Sequence, residues 1–131
     1  MRILIAEDDL ASRTFLAKLL AEFGECDQTV DGIETVEAFI FALNSGRPYD
    51  LVCLDIMMPK VDGRRTLQLI REFERQRKTD PGKKARVIII SALGDQHTIQ
   101  ETSQIGCEAY ITKPVDTEHM LRIIREMGLI S

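Results

Sequence analysis

Short apolar runs alternate with amphipathic segments along this chain of 131 residues. Strands are predicted at residues 3–6, 26–30, 51–54, 87–90 and 109–112, where short apolar or β-branched runs lie between polar stretches. Helical spacing of apolar residues predicts helices over 10–23, from Asp31 to about Leu43, over 64–76, from Asp95 to Gln104 and from Asp116 to Gly128. Gly24 is the predicted C-cap of the first of these helices. Aspartates at four of these starts, Asp9, Asp31, Asp95 and Asp116, are typical helix N-caps.

Strict alternation of strands and helices indicates right-handed crossovers and a mostly parallel sheet with helices on both faces. Residues 3–6, 51–54 and 87–90 are apolar throughout, as strands buried on both faces are. Residues 26–30 are mostly polar, so we place that strand at an edge of the sheet. The α/β pattern favours a flavodoxin-like, doubly wound sheet in the order 2-1-3-4-5, with one domain over residues 1–131.

The composition indicates the cellular compartment of the protein and the classes of partner that it can bind. Hydrophobic residues make up 44% and charged residues 29%, and no apolar run approaches the roughly 18 residues that span a bilayer. The N-terminal apolar stretch ends at Glu7, which argues against a signal peptide, so we expect a cytoplasmic protein that does not bind membranes. The net charge of −4 disfavours nucleic acid as a direct partner. The basic stretch over 75–86 is interpreted as a solvated loop, with a surface for an anionic partner as the alternative. The three cysteines, without metal-like spacing, are interpreted as reduced thiols.

Side chains with carboxylate, hydroxyl or amine groups follow four of the predicted strands. Glu7 and Asp8 follow the first strand, Asp55 the third, Ser91 the fourth and Lys113 the fifth. Ligands in open α/β sheets bind beyond the carboxyl ends of the strands, so these side chains should converge there. A hard divalent cation such as Mg2+ relieves repulsion among the three carboxylates, and an ammonium group and a hydroxyl complete a site for a phosphoryl group. Asp55 is then the candidate nucleophile that forms an acyl phosphate.

The same residues carry a resemblance to a known family. Over nearly its whole length the sequence resembles a response-regulator receiver domain, of the type found in CheY-like proteins. The motifs that carry it are ILIAEDD at 3–9, DLVCLDIMMP at 50–59, DG at 62–63, VIIISA at 87–92, and Gly106 followed by AYITKP at 109–114.

The resemblance implies a role for each matching position. Asp55 corresponds to the phosphoacceptor, and Glu7, Asp8, Asp55 and the backbone carbonyl of Met57 correspond to the ligands of Mg2+. Lys113 corresponds to the lysine that pairs with the phosphoryl group, and the Lys113–Pro114 peptide bond is expected to be cis.

Four positions are implied to control the signal. Ser91 corresponds to the hydroxyl that turns toward the phosphoryl group, and Tyr110 to the aromatic residue that changes rotamer with it. Met57 and Leu93 stand where receivers flank the approach of the hydrolytic water, and both are apolar, which predicts a long-lived phosphoryl group.

The function implied is two-component signal transduction. A sensor histidine kinase or a histidine phosphotransfer protein supplies the phosphoryl group, and the face formed by the fourth helix, fifth strand and fifth helix then changes its affinity for an unidentified downstream protein. The alternative is a pseudo-receiver that binds partners without phosphorylation, although every position needed for phosphorylation is filled.

Two enzymatic or carrier functions fit less well. A phosphatase of the haloacid dehalogenase type needs a second aspartate two residues after the nucleophile, where this chain has Met57, so turnover of an external substrate is not expected. A flavin carrier needs a phosphate-binding loop after the first strand, and the acidic residues Glu7 to Asp9 would repel that phosphate.

Overall fold

The computed structural model describes residues 1–131 and contains the predicted alternation of strands and helices. The strands are β1 (Arg2–Ala6), β2 (Glu25–Thr29), β3 (Leu51–Leu54), β4 (Arg86–Ser91) and β5 (Ala109–Thr112). The α-helices are α1 (Leu10–Leu20), α2 (Gly32–Asn44), α3 (Gly63–Gln76), α4 (Gln96–Ile105) and α5 (Thr117–Glu126), and a short 3-10 turn spans Pro81–Lys83.

The five strands form one parallel sheet in the order β2-β1-β3-β4-β5. This confirms the predicted flavodoxin-like topology and the edge position of the polar strand β2. β1 and β3 are neighbours, with Ala6 paired to Leu54, so the residues that follow these two strands leave the sheet side by side.

Alternate residues of the central strands face two separate apolar layers. Leu4, Val52 and Ile89 pack with Phe39 of α2 and Leu67 of α3 in one layer, among other buried residues. On the opposite face, Ile3, Ile5, Cys53, Ile88 and Ile90 pack with α1 and α5. Burial on both faces explains why these strands read as continuous apolar runs.

Aspartate side chains cap the N-termini of all five α-helices. Each carboxylate accepts a hydrogen bond from the backbone amide three residues later, in Asp9, Asp31, Asp62, Asp95 and Asp116. Four of these caps were predicted from the sequence, and Asp62 is an additional one. An aspartate cap contributes about 1 kcal/mol, and here the caps also fix where the loops beside the strand ends turn into helices.

The end of α1 differs from its prediction. The helix ends at Leu20, with Ala21 as its C-cap, and not at Phe23 with Gly24 as the cap. Gly24 serves a different purpose, because a Cβ atom there would lie 2.3 Å from the backbone oxygen of Met1. The glycine is required by a close approach of two backbone segments, which the local sequence does not reveal.

Two other features concern the cysteines and the helices. The thiols of Cys26, Cys53 and Cys107 are all free, with Cys53 fully buried. None of the helices combines the length and apolar character needed to cross a membrane.

Candidate functional site

The carboxyl ends of four neighbouring strands carry the predicted site residues. Glu7 and Asp8 follow β1, Asp55 follows β3, Ser91 is the last residue of β4, and Lys113 follows β5. Glu7 and Asp55 are nearly inaccessible, at 1% and 5% exposure, whereas Asp8 is exposed.

Lys113 joins the two buried carboxylates. Its ammonium group lies 3.1 Å from Oδ2 of Asp55 and also forms an ion pair with Oε1 of Glu7. The other oxygen of Asp55, Oδ1, accepts a hydrogen bond of 3.0 Å from the amide of Met57. Both oxygens of Asp55 are thereby held in place by donors.

Proton affinities differ between the two buried carboxylates. The pKa of Glu7 is raised to about 7, mainly by burial. The adjacent Asp55 carboxylate also raises it, and this effect is larger than the opposing effect of the Lys113 ammonium group. Burial alone would raise the pKa of Asp55, but the neighbouring Glu7 carboxyl group, the hydrogen bond from the Met57 amide and the ammonium group of Lys113 outweigh it, so this pKa lies below its ordinary value. Asp55 is therefore the ionised member of the pair, as a nucleophile must be.

The carboxylates of Glu7, Asp8 and Asp55 also fit a metal ion. Each offers an oxygen within 4.8 Å of the others. Oε2 of Glu7 is buried and has no hydrogen-bond partner, a costly arrangement that a cation would relieve. The carbonyl of Met57 accepts no hydrogen bond from another residue, so it too is free to act as a ligand. An all-oxygen donor set of this kind suits a hard divalent cation such as Mg2+.

Close packing of the loops holds this arrangement. A Cβ atom on Gly63 would lie 2.4 Å from the backbone oxygen of Asp55, so only glycine lets α3 begin directly against the loop after β3. This is a physical reason for the Asp62-Gly63 pair in the sequence. The Lys113–Pro114 peptide bond is cis, as the resemblance implied.

A chain of hydrogen bonds links Ser91 to Tyr110. The hydroxyl oxygen of Ser91, which is fully buried, accepts a bond of 3.2 Å from the amide of Leu93. The carbonyl of Leu93 accepts a hydrogen bond from the hydroxyl of Tyr110. The two predicted switch residues are thus connected through the backbone of Leu93.

The two residues predicted to flank the water approach differ in exposure. The side chain of Met57 is 57% exposed. Leu93 is half-buried and packs against the apolar layer that contains α2 and α3. Both stand on loops at the site edge of the sheet, after β3 and β4 respectively.

Two supporting residues were not found from the sequence. Arg13 of α1 donates a hydrogen bond of 3.0 Å to the carbonyl of Glu7, and so ties the acidic loop to the helix that follows it. Arg64 of α3 pairs with Glu101 of α4 at 2.9 Å, near Tyr110. For Arg13, the weak signal in the sequence is an arginine in the first helical turn after an acidic strand end. The pair of Arg64 and Glu101 joins residues 37 positions apart and has no local signature.

An apolar hollow of about 580 Å³ opens beside Lys113. Its walls come from α1 and from the loop between β5 and α5, and they include Phe15, Leu16, Pro114 and Val115. Leu10 and Phe15 are among the largest exposed apolar side chains of the protein. A surface of this character next to a polar site is typical of a docking area for another protein.

Comparison with known proteins finds similarity over nearly the whole chain. The family model described as the response regulator receiver domain matches residues 3–125. The chain is 35% identical over 125 residues to the chemotaxis protein CheY of Treponema pallidum, covering 94% of this chain and 79% of that protein. It is 32% identical to the transcriptional regulatory protein DltR of Streptococcus agalactiae, covering 95% of this chain but 50% of DltR.

Solved structures show the same architecture. A chain of the CheX–CheY–BeF3–Mg2+ complex from Borrelia burgdorferi superposes with a TM-score of 0.84 at 30% identity, covering 98% of this chain and 89% of that chain. The receiver domain of the Francisella response regulator 1452 gives a TM-score of 0.75 at 29% identity, covering 98% and 94%.

Proposed function

The chain belongs to the response regulator receiver domain family of two-component signalling, and we propose that it accepts a phosphoryl group on Asp55 from a histidine kinase or a histidine phosphotransfer protein. The observation that carries the proposal is the buried, ionised carboxylate of Asp55 beside the ammonium group of Lys113. No other carboxylate after a strand combines ionisation, burial and a positioned cation.

In the proposed reaction, a carboxylate oxygen of Asp55 attacks the phosphorus of a phosphohistidine. The new O–P bond forms as the N–P bond breaks, and the imidazole leaves with the electron pair. The ammonium of Lys113 faces the negative charge that spreads over the phosphoryl oxygens in a loose transition state. The amide of Met57 keeps the attacking group oriented throughout.

Mg2+ fits the remaining groups of the site. Glu7, Asp8, Asp55 and the carbonyl of Met57 would hold it, and the ion would neutralise charge on the phosphoryl oxygens. Because Met57 occupies the position where a phosphatase needs a second acid, we assign the chain a phosphoacceptor role and not turnover of an external substrate.

The phosphodonor is proposed to dock over the apolar hollow beside Lys113. Exposed Leu10 and Phe15 of α1 offer apolar contact area within the same region as the site. A partner seated there would bring its phosphohistidine to the carboxyl ends of the strands.

Phosphorylation is proposed to act on the hydrogen-bond chain from Ser91 to Tyr110. If the Ser91 hydroxyl turns to the phosphoryl group, the Leu93 amide loses its acceptor, and the loop that holds Tyr110 is released. The face formed by α4, β5 and α5 would then change its affinity for a downstream protein.

The test is phosphorylation by acetyl phosphate with Mg2+, followed by intact-mass measurement. We expect one added phosphoryl group on the wild type and none on Asp55→Asn. Asp50→Asn, at the opposite end of the strand segment, is the matched control and should be phosphorylated normally. An adduct on Asp55→Asn would overturn the assignment, and a wild type that takes up no phosphoryl group would support the pseudo-receiver alternative.

A further inference from the structure

A groove runs along the outer side of α3, toward the edge of the sheet where the strands begin. It consists of two adjoining hollows of about 390 and 280 Å³ that share Arg71, Arg75 and Ile105. Residues spaced along one face of α3 form one wall, and the end of α4 with the loop before β5 forms the other. The lining comprises Arg65, Gln68, Arg71, Glu72 and Arg75 from α3, with Lys84, Ile105, Gly106 and Glu108.

Arg71 fixes the floor of this groove and is not available to a ligand. It is 8% exposed, and its guanidinium binds the carboxylates of Glu74 and Glu108 and the carbonyls of Ala85 and Gly106. The network ties α3 to the start of β4 and to the loop before β5. The floor of the groove is therefore held by buried hydrogen bonds, whereas Arg65, Gln68 and Arg75 on its wall are exposed.

Three other cations of the groove have no carboxylate partner. None of the ion pairs in the structure includes Arg65, Arg75 or Lys84. Glu72 is the one lining carboxylate that is also unpaired, because Glu108 is bound to Arg71. With the buried Glu74 included, four cations stand beside three carboxylates, so the groove carries a small positive excess in a chain whose net charge is −4.

We propose that this groove binds an acidic, extended segment of a partner protein. From Arg65 to Arg75 the helix rises about 15 Å, at 1.5 Å per residue. An extended peptide rises about 3.3 Å per residue, so about five residues would span the cations. Ile105 offers an apolar contact between them, at the junction of the two hollows.

The lining favours polypeptide over nucleic acid. Single-stranded nucleic acid binds through aromatic side chains on which bases stack, and the groove contains no aromatic residue. The negative net charge of the whole chain further opposes a polyanion much longer than the groove. This inference is independent of phosphorylation at Asp55.

The experiment measures binding of a fluorescein-labelled, acetylated hexaglutamate peptide by anisotropy at low salt, with hexaglutamine as the neutral probe. We expect hexaglutamate to bind and hexaglutamine not to bind. The double variant Arg75→Glu, Lys84→Glu should weaken hexaglutamate binding about tenfold or more, because two attractive charges become repulsive. In the wild type, the amide signals of Ile105 and Gly106 should shift on titration.

The matched control is Lys78→Glu, Lys83→Glu. It makes the same change of charge in the same basic stretch, on exposed residues that do not line the groove. Equal loss of affinity in both double variants, absence of hexaglutamate binding to the wild type, or tighter binding of a six-nucleotide oligothymidylate would each overturn the proposal. Thermal unfolding of both variants verifies that they are folded.

Discussion

Glu7 and Asp55 are two buried carboxylates that share the single ammonium group of Lys113. One cation does not neutralise two anions, and the raised pKa of Glu7 together with the lowered pKa of Asp55 favours a proton on Glu7 below about pH 7. At the scale of single residues, a proton thus offsets the excess negative charge of the carboxylates in the metal-free site. A bound divalent cation would take over this role.

This balance predicts a pH dependence. A carboxyl group with a raised pKa stabilises the fold below its ordinary value of 4.5, and that contribution is lost as the pH rises through about 7. We expect the metal-free protein to lose stability over this range, and the affinity for Mg2+ to rise over it, because the ion needs the deprotonated carboxylate. Urea unfolding and Mg2+ titration, at about pH 6 and about pH 8, measure both effects.

Glu7→Gln is the control for this prediction. Glutamine mimics the protonated carboxyl group at every pH, so the metal-free variant should lose less stability than the wild type between the same two pH values. If the wild type and Glu7→Gln show the same pH dependence, the proton does not reside on Glu7.

Lys113 and Ser91 are predicted to matter unequally for phosphorylation. Lys113→Ala removes the charge that faces the transferring group and should slow phosphorylation by acetyl phosphate about 10²-fold. Ser91→Ala removes only the acceptor of the Leu93 amide, so phosphorylation should be nearly unchanged while the response at Tyr110 is reduced. Mass spectrometry follows the first effect and the NMR signals of Tyr110 the second. Equal losses of phosphorylation in the two variants would contradict these roles.

At the scale of elements, the sequence predicted each strand and helix and most of the helix caps. These elements could be predicted because helix caps, the periodic spacing of apolar residues and the polar residues after each strand are signals contained in short stretches of sequence. The end of α1 was misplaced because Gly24 is required by the neighbouring Met1 backbone and not by a helix terminus. Ion pairs such as Arg64 with Glu101, and Arg71 with Glu108, escaped prediction because they depend on how separate elements pack.

The contacts of Arg71 between α3 and the neighbouring segments lead to a prediction about stability. Arg71→Met leaves the buried carboxylate of Glu74 without its cation and should lower the free energy of unfolding by about 3–5 kcal/mol. Arg71→Met with Glu74→Gln removes the stranded charge but keeps an acceptor for the Ala85 amide, so it should recover part of the loss. Arg65→Met, on the exposed face of the same helix, should stay within about 0.5 kcal/mol of the wild type. Urea unfolding measures all three variants, and a double variant less stable than Arg71→Met would refute the explanation.

At the scale of the whole molecule, the parallel sheet separates two chemistries. Its carboxyl edge gathers the acidic site, because β1 and β3 are adjacent and β4 and β5 follow in order. The sequence anticipated this convergence, since parallel strands deliver their C-terminal residues to one edge. The shape of the cationic groove lay beyond such reasoning, because its lining combines α3 with Lys84 and with residues 105–108. From the sequence, a surface for an anionic partner was only the alternative to a solvated loop over residues 75–86.

The lifetime of the signal is a property of the whole site, because hydrolysis requires a water lined up behind the phosphorus. Met57 and Leu93 stand on different loops at the site edge of the sheet, and neither side chain can orient water by hydrogen bonding. We therefore expect a long-lived phosphoryl group on Asp55. Polar groups at both positions, in Met57→Asn with Leu93→Glu, should accelerate decay about tenfold, less than the roughly 10²-fold typical of groups that transfer a proton.

Single-turnover decay of the phosphorylated protein measures this effect, with the single variants beside the double variant. Met57→Leu is the matched control, because it keeps an apolar side chain of similar size and should decay like the wild type. Leu93 also packs against the core, so unfolding of Leu93→Glu must be measured in parallel to separate lost stability from a faster reaction. If the folded polar double variant decays no faster than the wild type, the two apolar side chains do not set the lifetime, and the geometry around Lys113 and Asp55 becomes the remaining structural determinant.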